Sequence, residues 1–255
     1  MSDEALTNRY GSIASEIYDL DKPVGALPDT AFHLRRFAGF RGRMLEPACG
    51  SGRTLLPLLE AGCDVTGFDP SSEMLERCRE RCARAGHSPP LSLQRFDDFQ
   101  YGEPFAAILL PVGSFTLIED FDRALEVLRR FRDHLTVGGV LVIDLPTFSA
   151  MAEAGADRRR WEAVNGDLLT LEGHRLKTDW VAQRTESAAR YERWRDGRLL
   201  ETQLEIMVQR HWGIEEFRLA LEAVGFGEIS LVGDYGRARA PGAARREFTF
   251  EAHRL

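Results

Sequence analysis

No apolar run opens the chain, and no stretch approaches the ~20 apolar residues needed to span a bilayer. Neither a signal peptide nor a membrane-spanning helix is expected. Cysteine is scarce: Cys49, Cys63, Cys78 and Cys82 are the only four. Cys78 and Cys82 stand four apart, in line with Met74 and Leu75, which is the spacing of a buried helix stripe rather than of a metal site. A third sulfur at iron–sulfur spacing is missing, which argues against radical chemistry on such a cluster, and no metal is expected. A reduced, cytoplasmic setting is the plain expectation. Basic charge is not in excess either. The net charge of -7 argues against a nucleic-acid groove. Internal repeats and low-complexity tails are absent, and a hydrophobic fraction of 44% is enough for a full core.

The most informative stretch is residues 44–69. Met44-Leu45-Glu46-Pro47-Ala48-Cys49-Gly50-Ser51-Gly52-Arg53 reads as a short apolar strand, a tight glycine turn and a helix start. Glycine lets the backbone approach a ligand and take angles other residues avoid. A helix starting near Arg53 would aim free N–H groups at that ligand. A second strand, Asp64–Phe68, ends at Asp69, where a carboxylate is well placed to accept two ribose hydroxyls. This is the nucleoside-binding first half of a doubly wound sheet. Two nucleotide classes fit poorly. Leu55 stands where the dinucleotide fingerprint wants a third glycine, and no lysine follows Gly50 and Gly52 as a P-loop requires. Glu46 would repel a pyrophosphate but suits a cationic ligand.

On these residues the chain resembles the class I S-adenosylmethionine-dependent methyltransferases of small-molecule type. Their first motif, acidic-x-x-Cys/Gly-Gly-x-Gly, is matched by Glu46, Cys49, Gly50 and Gly52, and their second acidic residue by Asp69. The resemblance implies S-adenosylmethionine as cofactor and S-adenosylhomocysteine as product. It implies a Rossmann-like α/β fold: a doubly wound, mainly parallel seven-stranded sheet. The glycines would pass under the methionine moiety and Asp69 would hold the ribose, with Ala48, Pro70 and Met74 beside them. Adenine would meet Phe96 and Asp97, since Arg95 stands where the family often has its adenine-binding acid. Leu110, Pro111 and Ser114, after strand four, would run beside the transferring methyl. Tyr10 and Tyr18 would belong to an N-terminal helical lid spanning about residues 1–40, or would simply pack that helix on the sheet.

Alternation of strand and helix supports the parallel sheet. Strands are expected at 43–48, 64–68, 91–96, 105–110 and 140–145. Helices are expected at 10–20, from 29 or 30, from 71 or 72 to 85, and at 121–135. From about 167 to 211 no helical stripe appears. Residues 168–180, 188–194 and 199–210 read as three strands, with Asp196-Gly197 as a hairpin turn. They predict an antiparallel lobe inserted at about 152–212 in one methyltransferase domain covering 1–255. A helix at 215–224 and strands at 226–232 and 247–252 close the chain.

The expected reaction is methyl transfer to a nitrogen or oxygen of a small molecule, in line with the methyl–sulfur bond at ~3 Å. His211 heads the candidates for a general base, ahead of His33, His174 and Tyr191, and Asp144 is a candidate acid. Trp180, Tyr191, Trp194 and Trp212 offer the lobe an aromatic wall. Arg190, Arg193, Arg195, Arg210 and the basic loop 236–246 offer it either anion contacts or solvated faces. The partner expected is a small-molecule methyl acceptor, with no nucleic acid and no membrane, on a monomer or homodimer. Two other readings stay open: a protein of this fold that holds the nucleoside without transferring anything, and an NAD-linked oxidoreductase.

Overall fold

The computed structural model describes residues 10–153, 156–238, 240 and 243–255. Two helices, α1 (Ser12–Asp21) and α2 (Pro28–Arg36), come first. Strands and helices then alternate through β1 (Arg43–Pro47), α3 (Leu55–Glu60), β2 (Asp64–Asp69), α4 (Ser72–Arg84), β3 (Leu91–Leu93), β4 (Phe105–Leu110), α5 (Phe121–Asp133) and β5 (Leu135–Pro146). A short helix, α6 (Phe148–Glu153), leads into β6 (Asp157–Glu162), β7 (Leu168–Asp179), β8 (Arg184–Arg195) and β9 (Arg198–Arg210). Helix α7 (Ile214–Ala223) and strands β10 (Phe226–Gly233) and β11 (Glu247–Arg254) complete the chain.

The strands form two sheets. The main one has seven, in the order β10-β11-β5-β4-β1-β2-β3. β1 through β5 pair in parallel, and β11 runs antiparallel to both β5 and β10. The physical origin is legible locally. Phe105-Ala-Ala-Ile-Leu-Leu110 is apolar throughout, and Ala107 to Leu110 are wholly buried, as expected for a strand covered on both faces. Helices cover them through single stripes. In α5 the buried side chains are Ala124, Val127, Leu128 and Phe131, and the Asp120 side chain caps the helix by accepting from Arg123 N. In α4 they are Met74, Leu75, Cys78 and Cys82, under a Ser71 cap. Each cysteine is therefore a core residue, and all four are free thiols. Among the described residues, no helix is long and apolar enough to cross a membrane.

The second sheet, β6-β7-β8-β9, is the inserted lobe, and it has four strands rather than three. The additional strand, β6, reads Asp-Arg-Arg-Arg-Trp-Glu and lies at an edge, mostly exposed. An edge strand with one pairing partner needs no apolar alternation, and charge there discourages further pairing. Two boundaries also move. β3 stops at Leu93, because Arg95–Phe99 folds into a turn closed by Phe99 N on Arg95 O. β5 begins at Leu135, and a register irregularity against β4 between Phe105 and Ala107 absorbs Gly138-Gly139. The lobe packs on α1. Ile13, Ala14 and Ile17 share one buried cluster with Ala163, Leu169, Leu171 and Tyr191. Polar ties reinforce it: Gly11 N donates to Glu205 Oε1 at 2.7 Å, and Arg193 pairs with Glu16 at 2.5 Å.

Gly67 lies inside β2 under the glycine turn. A Cβ there would stand 2.8 Å from both Cys49 Sγ and Leu55 Cδ1. Gly67→Val should therefore lower stability by about 1–3 kcal/mol, read as a drop of roughly 2–10 °C in thermal melting. An unchanged melting temperature would show that the packing beneath the turn is looser than described.

Candidate active site

The parallel pairing of β1 and β2 sets Pro47 opposite Phe68, so the turn after β1 and the end of β2 lie side by side. The turn is left-handed at three residues, Ala48 (φ 50), Gly50 (φ 54) and Gly52 (φ 80). The two glycines are required for different reasons. A Cβ on Gly52 would collide with Cys78 Sγ at 2.6 Å, whereas one on Gly50 would meet nothing closer than Met74 Sδ at 3.9 Å. At Gly50 it is the backbone angle, and the open space in front of it, that calls for glycine. The helical part starts only at Leu55 and is six residues long, because residues 51–54 form turns.

Asp69 joins these parts. Its Oδ2 accepts from Gly50 N at 2.9 Å and its Oδ1 from Ser71 N at 2.8 Å. Burial pushes this carboxyl up to about 6, against the pull of the two N–H groups. Ser71 in turn caps α4 and donates its hydroxyl to Tyr10 O at 3.0 Å.

Beyond the carboxyl ends of the strands lies a cavity of about 620 Å³. Of the residues expected at a site, Tyr10, Tyr18, Ala48, Gly50, Asp69, Pro70, Met74, Phe96 and Ser114 line it. Arg95, Leu117, Ile118, Glu119, Asp120 and Arg123 add a further wall, and the lobe contributes Arg184, Glu186, Ile206 and Val208. Tyr10 and Tyr18 meet edge to face, with ring centroids 5.9 Å apart.

Other expected residues lie elsewhere. Glu46, Cys49, Gly52, Leu110 and Pro111 stand outside the lining. Glu46 is buried at the end of β1, its carboxyl pushed well above the usual range by burial, and its Oε2 has no protein partner. Asp97 turns outward to a two-pronged pair with Arg123, so it holds a cavity residue instead of facing the cavity. His211 is away from the cavity. Its ring packs against Phe148 and Trp180, and its Nε2 bonds the Thr185 hydroxyl at 2.8 Å. Burial, with Arg175 and Arg210 nearby, lowers its pKa to about 4. His211 is thus absent from the cavity lining, joined to it only through Thr185 between Arg184 and Glu186. Of its alternatives, Tyr191 is in the α1–lobe core, His33 is buried on Asp144, and His174 is beside Glu172 on the lobe surface.

The lobe wall carries two charged and two aliphatic side chains where aromatics were expected. Trp212 sits in the main core against Phe115 and Phe217, and Trp194 bonds Glu192. The lobe arginines are spent on ion pairs: Arg190 with Glu172, Arg193 and Arg195 with Asp167, and Arg210 with Glu216. Within the basic loop 236–246, residues 239, 241 and 242 fall outside the described set, while Arg245 and Arg246 direct their backbone N–H groups to Asp234.

Sequence reasoning misses Arg53, although it directly follows the glycine turn. It is buried and pairs with Asp29 at 2.5 Å, Nη1 also reaching Thr30 at 3.2 Å, and its Nε has no protein partner. Arg184, Glu186 and Glu119 escape it for a different reason, since only the chain fold brings them to one opening. Arg184 pairs with Glu119 across it.

These features fit a sulfonium nucleoside. The cradle has a carboxylate with spare acceptor sites for a diol, an open left-handed glycine, no lysine, and two buried polar atoms, Glu46 Oε2 and Arg53 Nε, that lack partners. Residues 44–139 match a family model described as a methyltransferase domain. The glycine/sarcosine N-methyltransferase of Halorhodospira halochloris is 32% identical over 45% of this chain and 44% of its own length. The dTDP-3-amino-3,6-dideoxy-alpha-D-glucopyranose N,N-dimethyltransferase of Streptomyces fradiae is 31% identical over 46% of this chain and 44% of its own. The matching part thus spans under half the length of these curated relatives. A sugar N-methyltransferase of a Streptoalloteichus species has the same fold, with a TM-score of 0.75 at 21% identity, covering 94% of this chain and 91% of that one. Residues 44–139, which hold the nucleoside cradle and begin the 3-2-1-4-5 order of parallel strands, thus match a methyltransferase domain, and the chain as a whole shares the fold of solved methyltransferases.

Proposed function

We propose that the chain methylates an amine nitrogen of a small molecule, using S-adenosylmethionine. The observation that carries this reading is the one cavity lined both by the Asp69–Gly50 cradle and by Glu186 of the lobe. The cofactor supplies a methyl group on a sulfonium, already a good electrophile. The protein's part is positioning, which can contribute several powers of ten in rate. Asp69 accepts the ribose hydroxyls with the acceptor sites that Gly50 and Ser71 leave free. Phe96 and Arg95 flank the adenine. Glu46, Cys49, Gly52, Leu110 and Pro111 act from behind, shaping the cradle through backbone. Tyr10 and Tyr18 cover the donor side and keep water away from it.

The acceptor would enter under β8 and β9. Glu119 is paired with Arg184 and Asp120 caps α5, so Glu186 is the carboxylate that would attract a cationic amine, and solvent at the cavity mouth takes the proton that must leave before the lone pair can attack. His211 has no place in this scheme. The N-methyltransferases of an amino acid and of an amino sugar among the relatives support a nitrogen acceptor. A panel of amino sugars and small amines incubated with methyl-labelled cofactor tests the reading. Label should pass to at least one amine. Tight binding of S-adenosylhomocysteine with no transfer to any of them would favour a protein that only holds the nucleoside.

Two outcomes test the residue roles. Ionised Asp69 offers more acceptor sites than the protonated form. With its pKa near 6, affinity for S-adenosylhomocysteine should fall about tenfold between pH 7 and pH 5. Asp69→Asn should weaken binding by about 1–3 kcal/mol and flatten that pH dependence. Calorimetric titration at several pH values reads both. Glu186→Gln should raise KM for the amine roughly tenfold, the scale of one lost charged contact, with cofactor affinity unchanged. An unaltered KM would remove Glu186 from the acceptor site.

A further inference from the structure

Asp144, near the end of β5, has no exposed surface. Four donors converge on it from four different elements. His33 Nε2 of α2 lies 2.9 Å from Oδ2, Val112 N of the loop after β4 lies 3.2 Å from it, and the Tyr235 hydroxyl, after β10, lies 3.3 Å from it. Thr249 Oγ1 of β11 donates to Oδ1 at 2.7 Å. A carboxylate is a natural hub here, because it offers only acceptor sites and enough of them for all four.

The contact to Val112 is the consequential one. Val112 has φ 60 and Gly113 φ 73, two left-handed residues in succession. For a β-branched residue that conformation is a genuine outlier. Outliers of this kind persist where surrounding contacts over-determine them, and they gather at sites where geometry matters. Val112 itself is 38% exposed and tied by its N–H to Asp144, while the turn beyond it is closed by Thr116 N and Oγ1 on Gly113 O, so Asp144 holds the entry to the turn. The left-handed pair starts the 3₁₀ turn Ser114–Leu117, whose Ser114 and Leu117 line the cavity.

The geometry assigns Asp144 the role of a positioning residue for methyl transfer: it locks the Val112-Gly113 turn and thereby sets the cavity wall at Ser114–Leu117. His33 and Tyr235 extend the lock to α2 and the terminal hairpin, so these elements hold one wall of the reaction space from behind. This rests on the reading of the cavity given above.

Side-chain chemistry separates the variants. In Asp144→Asn, the amide oxygen can stay on Val112 N while the amide nitrogen donates to the Thr249 hydroxyl, whose oxygen can also accept. The lock should survive. Asp144→Ala removes it. Val112→Pro has no N–H and a φ fixed near -65°, so it removes one of the four donors and the left-handed angle while leaving Asp144, His33, Tyr235 and Thr249 in place. Val112→Gly keeps the N–H and tolerates the left-handed angle.

The test compares the five proteins by turnover of an amine the unaltered chain methylates, by affinity for S-adenosylhomocysteine, and by melting temperature. Asp144→Ala and Val112→Pro should lose about 100-fold in kcat, the scale of a small misplacement of reacting groups, with cofactor affinity changed by less than about fivefold. Asp144→Asn and Val112→Gly should stay within about fivefold of the parent in kcat. Val112→Pro must leave its φ of 60 and lose a bonded N–H, so it should melt below the parent, and its rate is read at a temperature where the melting curve shows it folded. A normal kcat in Val112→Pro, or a loss that merely tracks cofactor affinity, overturns the assignment. A crystal structure of Asp144→Ala, or of Val112→Pro should the former not fold, gives a readout independent of turnover. The turn at 112–113 should leave the left-handed region and Ser114 should shift. An unmoved turn refutes the positioning role. Absence of transfer by the parent protein would instead count against the proposed function.

Discussion

The carboxylate of Asp69 is the interaction on which the site depends. It ends β2, accepts the backbone N–H of Gly50 in the turn after β1, and accepts the N–H of Ser71 at the start of α4. Two parallel strands and a helix thus meet at one side chain. Parallel strands have no short covalent link between adjacent carboxyl ends, so the geometry there has to be fixed by contacts of this kind. The same group is left with acceptor sites facing the cavity. In the proposed site structure and recognition would share one residue, and the energetic tension is visible in a carboxyl raised to about 6 by its burial.

A second constraint sits on the other side of the cavity. Helix α1 belongs to neither sheet alone. Its apolar face packs into the lobe through Ile13, Ala14 and Ile17, while Asp19 reaches Arg77 and Arg81 of α4 and the Ser51 hydroxyl of the glycine turn. Tyr10 and Tyr18 are positioned by this double attachment. Arg53 adds a third anchor by pairing with Asp29 at the start of α2. The cover of the cavity is therefore held by charge on the donor side and by apolar burial on the lobe side.

Much of this was legible from residues alone. The turn at 47–53 and Asp69 carry a local signal: two glycines after an apolar strand, with an acid closing the next strand, describe a ligand cradle and little else. β4 and α5 could be read from a continuous apolar run and a clean helical stripe. What could not be read depended on distant chain segments. β6 is a charged edge strand whose identity comes only from pairing with β7. Arg184 and Glu186 reach the cavity through the register of the lobe. The tryptophans were expected in a wall, but Trp212 gives its bulk to the main core instead. His211 was picked out by residue type, and the fold buries it on Thr185 outside the cavity lining, since proximity to the end of the lobe in sequence says nothing about which face it lies on. Asp144 and His33 were each picked out by residue type, yet their pairing across 111 residues needed the fold.

The shared core of α1 and the lobe has a consequence for how such chains diversify. If the acceptor enters as proposed, a new preference would arise from substitutions in β8 and β9, the strands that supply the lobe's part of the cavity lining. Those strands also carry Tyr191 against α1 and Glu205 on Gly11 N. A Cβ on Gly11 would fall 1.9 Å from Gln203 Nε2, so a side chain there would have to displace the amide end of that β9 glutamine. Selection on the acceptor side therefore drags the donor-side cover along with it. The inherited module is the lobe together with the first helix, although some 130 residues of chain separate them. Grafting one without the other would join surfaces that had never been fitted to each other.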